Sequence, residues 1–95
     1  EGPIEVGGLL LDPVSHRVTI DGKPAEMGPT EYRLLQFFMT HQERAYTRGQ
    51  LLDQVWGGNV YVEERTIDVH IRKIREKIGE QYISTIKGIG YKFNE

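Results

Sequence analysis

A chain of 95 residues with 38% apolar and 27% charged residues is sized and composed for one small folded domain, which excludes two cores and argues against disorder. No apolar run approaches the roughly 18 residues of a membrane span, and the opening EGPIEVGG has neither the basic nor the apolar stretch of a secretion signal. The absence of cysteine removes disulfide and thiolate chemistry and fits a reducing, cytoplasmic setting, while a start at Glu1 without methionine leads us to expect a piece of a longer protein.

The first third reads as β-structure. GLLLD, HRVTI and KPAEM are short segments broken by Asp12-Pro13 and Asp21-Gly22, the second break being a type I′ hairpin signal, and an antiparallel sheet is expected. Pro24 cannot donate to a ladder and belongs at a strand start or edge. In GPTEYRLLQFFMTHQ the period becomes helical, with a proline opening the helix and Leu34, Leu35, Phe38 and Met39 on one face. TRGQLLDQVWGG predicts a short second helix: Thr47 and Gln50 form a capping box, Leu51, Leu52, Val55 and Trp56 share a face, and Gly57-Gly58 ends it. A third helix is expected from about Glu64 to Ile78, with Ile67, Ile71, Ile74 and Ile78 inward, Arg65, Val69, Arg72, Lys73 and Glu76 outward, and Glu63 and Glu64 at its positive end. YISTIKGIGYKF then reads as two strands around Gly88-Ile89-Gly90, whose glycines supply positive φ, with Ile83, Tyr91 and Phe93 packing.

Charge follows the same order. Residues 1–64 hold five Lys/Arg against ten Asp/Glu, whereas residues 65–95 hold seven against four, so the net charge of -2 conceals a segregation of signs. The sequence of elements is that of an α+β winged helix-turn-helix with an N-terminal antiparallel sheet, three helices and a C-terminal hairpin wing. In such an architecture the third helix suits the major groove of DNA, and a hairpin carrying Lys87 and Lys92 suits the adjacent minor groove or backbone. Arg72 and Lys73 can address guanine or phosphate, Val69 a thymine methyl, and Arg65, His70 and Arg75 lie nearer the phosphates. A merely solvated helix face is the plain alternative, and Asp68–Arg72 or Arg72–Glu76 pairs would quench part of the field. Trp56 fits the core as well as a phosphate. His16, His41 and His70 lack metal-ligand spacing, no nucleophile and base stand together, and neither catalysis, cofactor nor small-molecule ligand is expected. A winged helix that binds an acidic protein is the second reading.

MGPTEYRLLQFFMTH, RGQLLDQVWGGNVYVEERTIDVHIRKIREKI and TIKGIGYKF, preceded by LLLDPVSHRV, cover nearly the whole chain and closely resemble the effector domain of the OmpR/PhoB family of bacterial response regulators, within it the branch that controls phosphate-starvation genes. The resemblance implies a two-component transcription factor whose receiver domain is not in residues 1–95. It implies two copies head to tail on direct repeats of double-stranded DNA, and no membrane partner. Carried over, Lys73 is the principal base reader, Asp68 and Val69 pack near bases, and Lys87 with Thr85 and Gly88 meets the minor groove. Arg48, Trp56, Arg65, His70, Arg72, Arg75 and Tyr91 hold phosphates, and Thr66 joins the DNA-facing set. Trp56, Gly57, Val62 and Glu64 would touch the RNA polymerase sigma subunit. Lys73 and Lys87 stand where close relatives usually carry Arg, so looser base reading is expected from a point charge. Gly49 replaces an acidic residue beside the polymerase-facing loop, and GEQY before the hairpin is shorter than in near relatives.

Overall fold

The computed structural model describes residues 2–58 and 61–95. Four short strands, β1 (Ile4–Val6), β2 (Leu9–Asp12), β3 (Arg17–Ile20) and β4 (Lys23–Pro24), form an antiparallel meander in chain order. The β3–β4 turn has both central residues at positive φ, Asp21 at 51° and Gly22 at 82°, as a type I′ turn requires. Pro24 lies on the edge strand as expected, but β4 stops there instead of running through KPAEM. β1 was not expected as a strand. It pairs Ile4 with Leu11 and Val6 with Leu9.

Helix α1 (Pro29–Thr40) opens at proline, and the Glu31 side chain turns back to accept the Gly28 N–H at 3.3 Å. Strand β5 (Ala45–Thr47) runs directly into α2 (Arg48–Val55), where Gln50 Oε1 accepts the Thr47 N–H at 2.8 Å and Thr47 Oγ1 accepts the Gln50 N–H at 3.0 Å. This capping box is the one read in the sequence. Helix α3 (Arg65–Ile78) is followed by β6 (Ile83–Ile86) and β7 (Gly90–Phe93). The terminal hairpin is the larger part of a three-stranded sheet, because β5 pairs with β7 and gives the order β5-β7-β6.

That third strand corrects one explanation. Gly88 has positive φ (78°), but Gly90 does not; a Cβ on Gly90 would lie 2.0 Å from the Tyr46 carbonyl oxygen, so β5 itself demands the glycine. One core joins both sheets: Leu9 and Leu11 of β2, Leu34, Leu35 and Phe38 of α1, Leu51 of α2, Ile67, Ile71 and Ile74 of α3, and Ile83 and Phe93 of the second sheet are buried together. Among the described residues no helix is long and apolar enough to cross a membrane.

Candidate nucleic-acid interface

The isoleucine stripe of α3 is fully committed to the core, which fixes the helix's rotation and leaves Arg65, Val69, Arg72, Lys73 and Glu76 exposed. Val69 keeps 39% of its surface. Among the described residues no carboxylate lies within ion-pair distance of Arg72 or Lys73. Neither intrahelical pair considered from the sequence, Asp68–Arg72 or Arg72–Glu76, is formed among the described residues, and Asp68 is engaged elsewhere. Its Oδ1 lies 2.8 Å from Arg48 Nε and accepts the Tyr91 hydroxyl at 2.5 Å.

Asp68 thus stands where α2, α3 and the second sheet meet. Burial alone pushes its carboxyl up, but hydrogen bonds from Tyr91 and Arg48 and the Arg48 charge outweigh this and hold it below the ordinary 3.8. The Tyr91 phenol is correspondingly raised, by burial first and then by Asp68, and stays a donor at neutral pH. Arg75 completes the junction. Its guanidinium donates to the Ile83 carbonyl oxygen at 3.2 and 2.8 Å and to Thr85 Oγ1 at 2.9 Å, with its carbon 5.5 Å from the Tyr91 ring centroid. The structure therefore gives Asp68, Arg75 and Tyr91, all expected at the DNA, internal partners that pattern reading could not supply.

His70 is also turned inward. Its ring is 19% exposed and tilted against Trp56 with centroids 5.4 Å apart, and its buried Nδ1 sits 3.7 Å from Glu31 Oε2. Glu31, only 7% exposed, is held by Lys77 Nζ at 3.1 Å. Burial raises its carboxyl, and the Lys77 and Gly28 hydrogen bonds with the charges of Lys77 and Lys73 bring it below 4.5. Trp56 is half-buried and packs against the core. Thr66 is half-buried in the first turn of α3, its N–H on the Glu63 carbonyl oxygen.

At the wing, Thr85, Lys87, Gly88 and Ile89 are exposed, with Ile89 keeping 47% of its surface. Lys92, the second wing cation, faces Glu43 at 3.7 Å and is offset. Gly57, Val62 and Glu64 border one groove, with Gly49, Leu52, Asp53 and a 94% exposed Tyr61. A Cβ at Gly49 would lie 3.4 Å from Glu64 Oε2, so an acidic side chain there would aim a like charge at Glu64. Asn59 and Val60, in the middle of this loop, lie outside the described residues.

Residues 22–93 match the family described as transcriptional regulatory protein, C terminal. The chain is 80% identical over 97 residues to the phosphate regulon transcriptional regulatory protein PhoB of Pseudomonas aeruginosa, covering 99% of this chain and 42% of that protein. It is 55% identical over 98 residues to the protein of that name from Escherichia coli, covering 99% and 43%. It thus spans less than half the length of these curated relatives. In fold it is similar to DrrB of Thermotoga maritima, described as an OmpR/PhoB homologue, with TM-score 0.91 and 30% identity over all of this chain and 45% of that one. It is also similar to the DNA-binding domain of Klebsiella pneumoniae RstA, solved in complex with its RstA box, with TM-score 0.87 and 26% identity over 99% and 98% of the chains. A match over most of the chain, at these identities and in this architecture, makes it a winged-helix effector domain of the OmpR/PhoB family.

Proposed function

We propose that this domain binds double-stranded DNA with sequence preference and so places a two-component regulator at its promoters. The observation that carries the reading is the outward face of α3: Val69, Arg72 and Lys73 stand exposed, the two cations unpaired among the described residues, on a helix whose rotation is locked by Ile67, Ile71 and Ile74. A major groove about 12 Å wide admits such a helix. Lys73 is the principal base reader, with Val69 near a thymine methyl. Arg48, Arg65 and Arg72 meet phosphates, with Trp56 and His70 beside them. Lys87 at the wing tip enters the minor groove, with Thr85 and Gly88 against its walls. The domain performs no catalytic step.

The names of the relatives at 80% and 55% identity support phosphate-starvation genes as the targets. Two copies sit head to tail on direct repeats, and a receiver domain in the intact regulator governs when they do so. Selection from random duplexes, followed by mobility shifts on the selected and a scrambled duplex, tests the reading. A direct repeat bound tightly is expected; tight capture of an acidic protein with no duplex preference would instead support an interaction module.

Trp56, Gly57, Val62 and Glu64 face the sigma subunit of RNA polymerase. Val62→Ala in the intact regulator should lower activated transcription and leave operator affinity unchanged, whereas parallel losses would assign the loop to DNA or to stability. Gly57 is a poorer probe, since its φ of 89° strains any side chain placed there.

A further inference from the structure

We propose that Asp68 is a positioning residue that fastens the recognition helix α3 to the wing, so that major-groove and minor-groove contacts are made by one rigid body. The inference rests on the DNA-binding reading above and departs from the family resemblance in one respect: the resemblance places Asp68 near bases, whereas no base contact runs through this carboxylate.

The two ends of the fastening lie two helical turns apart on α3, at Asp68 and Arg75, and therefore on one side of the helix. At the first, the carboxylate accepts from Arg48 of α2 at 2.8 Å and from the Tyr91 hydroxyl of β7 at 2.5 Å. At the second, Arg75 donates to the Ile83 carbonyl oxygen and to Thr85 Oγ1 of β6. Tyr91 is the centre strand's contribution: it pairs with Tyr46 of β5 on one side and Thr85 of β6 on the other. Both arginines lie over its ring, at 5.6 Å for Arg48 and 5.5 Å for Arg75. Thr85 is two residues from Lys87, so the same bonds fix where the wing's cation stands.

The sign of the charge agrees with this assignment. A carboxylate approaching DNA meets a dense array of phosphates and is repelled unless cations already surround it. Asp68 has that surrounding inside the protein, and its bonds hold Arg48 at the edge of the interface. A wing tied in this way has little motion left to lose on binding, whereas a loosened one must be ordered at the expense of affinity. The cost falls on the specific complex, which needs helix and wing in register. A charge-dominated encounter with any duplex tolerates a loose wing.

The test uses the whole chain on its selected duplex and on a scrambled one, each variant assayed well below its melting temperature. Tyr91→Phe removes only the hydroxyl donor, and Asp68→Asn removes the charge while keeping one acceptor oxygen. Each is expected to weaken the selected duplex by roughly five- to tenfold and the scrambled one much less, the loss typical of a single hydrogen bond. In either background Lys87→Ala should cost less than in the unmodified chain, because a wing no longer held in place has less to contribute; a purely structural role gives additive losses. Additive losses would overturn the proposal. So would a silent Tyr91→Phe beside an Asp68→Asn variant that loses preference at one base pair, the signature of a base contact. Should Asp68→Asn fail to fold, Tyr91→Phe and its combination with Lys87→Ala decide alone. Failure of the unmodified chain to bind any duplex would instead overturn the DNA-binding reading, and the clamp's DNA role with it.

Discussion

Arg72 and Lys73 leave α3 side by side without a carboxylate partner among the described residues, and their roles separate by what each can carry. A base-edge contact holds sequence information, so Lys73→Ala should cost about 1 to 3 kcal/mol on the preferred duplex and flatten preference at one or two positions. The phosphate counterpart is Arg65→Ala, which should weaken all duplexes alike and reduce the salt slope by about one unit. Arg65 pairs with Glu63 at 2.7 Å, but both side chains are mostly in water, and such a pair gives way easily. Arg75, which the sequence suggests for this comparison, is unsuitable because its loss frees the wing. Helical period reports the side from which Arg75 leaves α3; it does not report that Ile83 and Thr85 stand there. The ion pairs of Glu31, which is buried, and of Asp68, which is partly exposed, make a further statement, about pH. Glu31 and Asp68 are both held below their ordinary values of 4.5 and 3.8, so each stabilises the fold above those values. As pH falls past them, the unfolded chain takes up protons that the folded chain refuses, and the contribution disappears as pH drops through the depressed folded values. Glu31→Gln should therefore flatten the loss of melting temperature on acidification; an unchanged acid profile would show the Glu31–Lys77 contact to be energetically idle.

Among the elements, long periodic ones were legible and three-residue ones were not. Four isoleucines spaced along α3 define a buried face through about three helical turns, and Thr47 with Gln50 marks the start of α2 before any apolar residue is met. Ile4–Val6 and Ala45–Thr47 are too short for alternation to be distinguished from accident, and β5 takes its identity from its partner β7. The omission of β5 also misassigned Gly90, whose reason is a backbone neighbour 44 residues away in sequence. Adding a methyl group at Gly90 forces the Tyr46 carbonyl aside in the middle of a ladder, and backbone cannot yield as a side chain can. Gly90→Ala is expected to destabilise the domain by about 3 kcal/mol or more, at the upper end of overpacking effects. Gly58→Ala, with no atom of the described residues near its Cβ, should stay within about 0.5 kcal/mol. Urea unfolding of the two variants checks both, and equal midpoints would mean that β5 separates from β7 at little cost.

For the molecule as a whole, net charge misleads and charge placement informs. The total of -2 argues against a polyanionic partner, yet seven of the twelve Lys/Arg fall within residues 65–95. That segregation is legible in the sequence; which cations remain available is not, because neutralisation is set by tertiary neighbours. Lys77 is taken by Glu31 and Lys92 by Glu43, while Arg72, Lys73 and Lys87 have no such partner among the described residues. Arg48 and Arg65 have carboxylates at hand but remain partly or largely in water, and their charges still reach the interface. Arg48, Arg65 and Arg72 on phosphates, with Lys87 between the phosphate walls of the minor groove, give a slope of log K against log salt of about -4, from about -0.9 for each phosphate neutralised on duplex DNA. Because screening follows placement and not count, Lys92→Ala should leave that slope unchanged, whereas Lys87→Ala should make it shallower by about one unit. Mobility shifts across a series of salt concentrations measure both. Equal changes for the two lysines would mean that the domain senses DNA through its overall charge, and the distinction between the wing tip and the back of the sheet would fall.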